Sequence, residues 1–302
     1  MESIKGWVEK GANLRAGDDW VLRYAAANGH LEVVKCLLEQ GADLHVWNDW
    51  ALRSAAANGH LDVVKYLLEQ GANLHADDYD ALRLAAKNGH LEVVKYLLER
   101  GADLHAERDK AFRSAAKSGH LEVVKYLLEQ GADLHVWNDE ALRWAAENGH
   151  LEMVKYLLEQ GANLHSKNDA AFRFAADNGD LEVVKYLVEQ GANLHAENDH
   201  ALRLAAGKGH LEVVKYLLEQ GAESDRVSKQ LLVKLFVTCD LRIGKITPRL
   251  TSLLLGIEKE NKISMRNKIL STYKKKFLSS LIILMYHFYY RPSGPGFFQA
   301  IE

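Results

Sequence analysis

A Gly-Ala pair returns every thirty residues along this chain, at Gly41, Gly71, Gly101, Gly131, Gly161, Gly191 and Gly221. A unit that short cannot bury its own apolar face, so copies must stack and share one continuous core. The period therefore predicts a solenoid for most of the 302 residues, whose length reports repeat number rather than domain count.

Charge divides where the repeats end. Residues 1–225 hold 24 Lys and Arg against 37 Asp and Glu, a net −13, while residues 226–302 hold 14 against 4, a net +10. An acidic array joined to a basic C-terminal module is expected, with attraction between them. Cys36 and Cys239 are the two cysteines. They are far apart in sequence, so no disulfide framework is expected, and a reducing, cytoplasmic setting is. Cys36 shares a column with Tyr66, Tyr96 and Tyr126, which points to packing rather than reactivity. Met1 to Trp7 lacks the apolar stretch of a secretory signal.

One unit reads as helix, turn, helix, loop. Asp49 is placed as an N-cap, Ala51 to Ala57 is rich in helix formers, and Asn58-Gly59 supplies a left-handed stop. A second helix runs from His60 or Leu61 to Glu69, with Leu61, Val64, Leu67 and Leu68 on one face, and Gly71 ends it. Small Ala55 and Ala56 allow close helix approach.

Leu52-Arg53-Ser54-Ala55-Ala56, Gly59-His60 and Leu67-Leu68-Glu69-Gln70-Gly71-Ala72 keep their mutual spacing through seven copies. In this the chain resembles the ankyrin-repeat family. The resemblance implies an all-α solenoid of stacked helix-turn-helix units that binds another protein along its concave face. It places an incomplete half repeat at 1–18, seven repeats at 19–225, and a basic helical cap or module at 226–302. The family's unit is about 33 residues, so the projecting hairpin finger should be shortened here. Ala51 stands where the family opens its helix with Pro, and Arg53 where it has His. The variant is similar to arrays encoded by giant DNA viruses, which would place it in host-cell cytoplasm.

The recurrent polar columns admit both a chemical and a packing role. Arg23, Arg53, Arg83, Arg113, Arg143, Arg173 and Arg203 suggest a phosphate ladder, but Asp19, Asp49, Asp109, Asp139, Asp169 and Asp199 precede them by four residues, with Tyr79 the exception. In an acidic array this favours arginines satisfying loop carbonyls, and nucleic acid is not an expected partner. Twelve histidines fall in two periodic sets, one from His30 to His210 with Asp180 in the sixth copy, the other from His45 to His195. Stacked helices lie about 8–10 Å apart, too far for one column to chelate a metal. Both sets read as residues that hydrogen-bond neighbouring backbone. Glu32 and Lys35 recur in most copies as surface charge. No phosphate loop, dinucleotide turn, His-Glu-x-x-His or isolated nucleophile appears, so neither an enzyme nor a cofactor is expected.

Variation between copies is concentrated in three columns. One reads Gly17, Trp47, Asp77, Glu107, Trp137, Lys167, Glu197; the second reads Trp20, Trp50, Asp80, Lys110, Glu140, Ala170, His200; the third reads Ala27, Ala57, Lys87, Lys117, Glu147, Asp177, Gly207. These positions are the expected partner contacts. Trp20, Trp47 and Trp50 are expected to form one aromatic patch, with Trp137 and Trp144 as a second centre. Tyr24, Trp144 and Phe174 share a column with Leu84 and Leu204, which favours packing there.

At the N-terminus, Ile4 to Ala12 aligns with Val64 to Ala72, so the chain opens inside a second helix. An exposed apolar edge, a degenerate cap or missing upstream sequence would each follow. Beyond Asp225, helical stretches are expected at 227–237, 248–257 and about 264–290. Lys274-Lys275-Lys276 precedes an apolar run to Tyr290 that is short of the roughly 20 residues of a membrane span, so packing is the default and a tether over 274–290 the alternative. Residues 246–254 weakly resemble the opening of an F-box, whose implication would be a ubiquitin-ligase adaptor.

Overall fold

The computed structural model describes residues 16–222. Seven helix pairs follow one another, and no strand occurs among the described residues. They are α1 (Ala16–Ala27) with α2 (Leu31–Glu39), α3 (Val46–Ala57) with α4 (Leu61–Glu69), α5 (Ala76–Lys87) with α6 (Leu91–Glu99), and α7 (Lys110–Ser118) with α8 (Leu121–Glu129). The series continues with α9 (Val136–Glu147) and α10 (Leu151–Glu159), α11 (Ser166–Asn178) and α12 (Leu181–Glu189), and α13 (His200–Lys208) and α14 (Leu211–Gln220). The half repeat expected before Ala16, Cys239, and the whole basic module lie outside the described residues.

Each pair closes on small and branched side chains. Ala51, Leu52, Ala55 and Ala56 of α3 and Val63, Val64 and Leu67 of α4 are buried, and Phe112 and Phe172 take the Leu52 place in their own copies. Burying each Leu or Val contributes about 1.5–3 kcal/mol. Leu61 and Leu68, expected on the buried face, are half-buried, and Val63 is inside instead. Successive first helices, lined with alanine, pack closely, whereas successive second helices touch sparsely. The array therefore curves, with its first helices on the concave side.

The stop at Asn58-Gly59 forms as expected. His60 N–H reaches Ala55 O at 3.0 Å and Gly59 N–H reaches Ala56 O at 3.2 Å, the nested pair of a Schellman motif. Gly59 has φ +77°, and a Cβ there would lie 2.5 Å from Nδ1 of His90. Glycine thus serves twice, for the left-handed turn and for the next copy's imidazole.

The loop into each first helix departs from expectation. Trp47, Asn48 and Asp49 hold φ of 55°, 53° and 52°, and the same left-handed turn recurs at 77–79, 107–109, 137–139, 167–169 and 197–199. This conformation costs about 1–2 kcal/mol per residue bearing a Cβ, somewhat less for Asn and Asp. The turn carries the Asp carboxylate away from its own helix, so the N-cap role expected of Asp49 is not fulfilled. Its buried Oδ1 instead accepts the Asn73 N–H of the next copy at 2.9 Å and lies 3.0 Å from His45 Nδ1. Asp109, Asp139 and Asp169 repeat the bond to Asp133, Asn163 and Asn193 at 3.1, 2.9 and 3.0 Å. Each carboxylate staples one repeat to the next.

Candidate partner-binding face

Arginine side chains hold the left-handed turns from the concave side. Arg53 donates from Nε to Asn48 O at 3.0 Å and from Nη2 to Trp47 O at 2.7 Å. Arg113 does the same to Arg108 O and Glu107 O, and Arg173 to Asn168 O and Lys167 O. The ladder therefore satisfies loop carbonyls as expected. The carboxylate four residues earlier is not its partner, because the turn has rotated it toward the following repeat.

Nη1 instead crosses to the next copy. Arg53 Nη1 donates to Asp77 Oδ2 at 2.9 Å and lies 3.3 Å from Asp80 Oδ2; Arg113 pairs with Glu140, and Arg173 with Glu197 at 3.0 Å. Glu197 is held below the usual carboxylate range, chiefly by the Asn168 amide and then by Arg173. Partners thus sit 24 or 27 residues after the arginine, in two of the variable columns. Asp80, Glu140 and the Trp50 ring are half-buried at this seam, whereas Asp77, Glu107 and Lys167 are exposed. Lys110 is half-buried and pairs with Glu107. In the third column Lys87 and Lys117 are exposed and Glu147 is half-buried.

The same offset builds two aromatic centres. Arg23 lies 4.7 Å from the Trp47 ring centre and 5.4 Å from that of Trp50, and Trp20 meets Tyr24 edge-on at 6.3 Å. Trp47 is 61%, Tyr24 61% and Trp20 52% exposed. Tyr24, expected to pack, instead stands in solvent, whereas Trp144 and Phe174 are half-buried. In the second centre, Trp137 is 48% exposed and lies 5.0 Å from Arg108 and 5.9 Å from Arg113, while Lys117 Nζ sits 4.9 Å from the Trp144 ring. Cation–aromatic contacts of this kind are worth about 0.5–1 kcal/mol at exposed sites. Arg23 and Arg108 were not foreseen as members of these centres; the 24-residue offset from Arg23 to Trp47 was the available signal.

The two histidine sets separate. His60, His90, His150 and His210 place Nε2 at 3.1, 3.0, 3.0 and 2.9 Å from Ala27 O, Ala57 O, Lys117 O and Asp177 O, as expected for backbone-binding residues. The second set was expected to behave likewise, but His45, His105, His135, His165 and His195 bond the Asp of their own turn. The reason is again the left-handed turn, which swings that carboxylate beneath the ring. Burial pushes His120 down and Asp180 up. Where Asp180 replaces histidine, the Asn178 amide still donates to Glu147 O, as the Asn88 amide does to Ala57 O beside His90. Among the described residues no group of three could hold a metal ion.

These features define a class, an all-α solenoid of stacked helix-turn-helix repeats. The family model described as ankyrin repeats in three copies matches residues 22–108, 105–168 and 165–228, and the chain belongs to the ankyrin-repeat family. Among solved structures it is similar to the crystal structure of the human ASB11 ankyrin repeat domain, with 30% identity and a TM-score of 0.57, covering 67% of this chain and 98% of that one. No curated protein matches. Ankyrin repeats generally mediate protein–protein interaction, and no enzyme family is indicated. Among the described residues no helix is long and apolar enough to cross a membrane. The stretches at 246–254 and 274–290 lie outside the described residues.

Proposed function

We propose that this chain is a non-enzymatic recognition scaffold that binds another protein across its first-helix face, using the Trp20, Trp47, Trp50 and Trp137 centres. The observation that carries this reading is the pair of large, exposed indoles, Trp47 and Trp137, in a column where four of the five other copies place charged residues. Rigid, partly solvated indoles stacked on guanidiniums have the properties of interface hot spots. The adaptor and membrane-tether alternatives rest on residues beyond Ala222 and draw no support from the described face. Affinity capture from cell lysate, comparing the chain with its Trp47→Ala, Trp137→Ala variant, tests the reading. Loss of a specific partner, with unchanged circular dichroism and melting temperature, is expected. An unchanged partner set would refute the assignment of the face.

A further inference from the structure

Among the rungs from Arg23 to Arg173, whose facing positions are described, one is left open. Arg53, Arg113 and Arg173 each direct Nη1 to an acid 24 or 27 residues later, Arg23 meets Trp47 and Trp50 there, and Arg83 takes Asp80 of its own helix. Arg143 finds Lys167 and Ala170 at those two places. Its side chain is 8% exposed as a residue. Nη2 donates to Trp137 O at 2.9 Å and approaches Glu140 Oε1 only to 3.7 Å, an acid already engaged by Arg113. Nε is buried with no partner, and Nη1 bonds nothing among the described residues. Lys167 is exposed and makes no ion pair among the described residues. Lys167 thus holds the place that Asp77 and Glu197 hold relative to their arginines, and the one acid paired with Arg143 among the described residues is Glu140, at 3.7 Å and shared with Arg113, inside an array whose net charge is −13.

Nη1, the atom that meets an acid in the Arg53, Arg113 and Arg173 rungs, has no acceptor at Arg143 among the described residues, and a donor left unsatisfied on a nine-tenths buried guanidinium is costly. We propose that Arg143 and Lys167 form a carboxylate-binding subsite for an Asp or Glu side chain of the partner protein, next to the exposed Trp137. This rests on the recognition reading above and adds the chemistry of its central contact. A carboxylate is the fitting anion because Glu140 on Arg113 and Glu197 on Arg173 already fill the equivalent rungs. The acidic surroundings also repel an extended polyanion.

Lys167→Glu places an acid where Glu197 stands relative to Arg173, and Ala170→Glu places one where Glu140 stands relative to Arg113. Either variant should close the rung from within. The test selects a random short-peptide library on the full chain. Enriched peptides are expected to carry an acid whose change to Asn or Gln weakens binding about ten- to a hundred-fold, the range for hydrogen bonds to charged groups. Lys167→Glu should weaken the same peptides as strongly and raise the melting temperature; if it does not fold, Ala170→Glu takes its place. Peptides that need no acid, or that bind the closed-rung variant as tightly, would overturn the subsite. Displacement by inorganic phosphate at constant ionic strength would do so in favour of a phosphorylated ligand. Peptides that depend on Trp47 but not on Arg143 would overturn the subsite and leave the recognition reading standing, whereas no enrichment would count against both.

Discussion

Replacing Asp139 by alanine tests whether carboxylate staples hold the array together. Asp139 is 4% exposed. Its Oδ1 accepts the Asn163 N–H at 2.9 Å and lies 2.9 Å from His135 Nδ1, while Oδ2 accepts the Ser166 hydroxyl at 2.5 Å. The His135 side chain is 60% exposed, so water replaces most of what that contact contributes. The loss then comes mainly from the Asn163 amide, left without its acceptor, and from the serine, which can rotate toward another partner. An unsatisfied buried donor costs about 1–3 kcal/mol and a hydrogen bond to a charged group contributes about 1.5–3 kcal/mol, so the expected loss is about 3 kcal/mol. For an array of about 200 residues unfolding as one unit, that lowers the melting temperature by about 6–12 °C. Asp139→Asn keeps an acceptor on the turn and should lose about 1 kcal/mol. Asp19 provides the internal control, because its Oδ2 reaches Asp43 N–H only at 3.3 Å and its Oδ1 is buried without a partner. Urea titrations of Asp139→Ala, Asp139→Asn and Asp19→Ala should rank in that order of loss, with Asp19→Ala well below Asp139→Ala. Equal losses for Asp19→Ala and Asp139→Ala would refute the staple.

Three further outcomes follow from the turns and the histidine column. Gly59→Ala should cost more than Gly71→Ala, since both have positive φ, worth about 1–2 kcal/mol, but only the first Cβ would meet an imidazole; equal losses by denaturant titration would show that His90 moves aside freely. Asp180 holds its proton more tightly folded than unfolded because of burial, so its contribution to stability falls as pH rises from about 3.9 through its folded value. Asp180→Asn should therefore melt higher at neutral pH, with the gain vanishing below about pH 4, and a gain of equal size at both pH values would contradict this. His120 is shifted the other way by burial, so stability is lost as pH falls from about 6.5 through its lower folded value. An amide at that position can still donate to the Lys87 carbonyl, so His120→Asn should show a shallower decline in melting temperature from about pH 7.5 to 5.5; parallel declines would sink the assignment.

Helix pairing was legible because it follows from local patterns: alanine runs, Asn-Gly stops and a thirty-residue period fix which segments are helical and which faces meet. The carbonyl-binding role of the arginines was also legible, since a side chain repeated in all seven copies must meet something that every copy supplies, and backbone is the one such group. The role of Asp49 was not. An aspartate before a helix has the composition of an N-cap whether the residues around it are right- or left-handed, and Trp47 carries no mark of a positive φ. Once three left-handed residues intervene, the carboxylate faces an amide 24 positions later, and no local window contains both. The exposure of Tyr24 was hidden for a related reason. Leu84 and Leu204 in its column indicate a packed position, whereas the Tyr24 ring meets Trp20 edge-on and stays 61% exposed.

The 24- and 27-residue offsets join stability to recognition. Arg53, Arg113 and Arg173 use Nε and Nη2 on their own turns, so Nη1 is the atom left to meet whatever the next copy presents. An acid there closes a seam, as at Arg53, Arg113 and Arg173. A tryptophan there becomes a presented ring, as at Arg23. Lys167 and Ala170 offer Arg143 Nη1 no acid. A single substitution in a variable column can therefore exchange an internal salt bridge for a contact surface without disturbing the alanine and leucine core beneath it. It follows that Asp77→Trp should cost little in helix packing while releasing Arg53 Nη1 from one acid, whereas Trp47→Asp should erase the first aromatic centre and give Arg23 a carboxylate to bind.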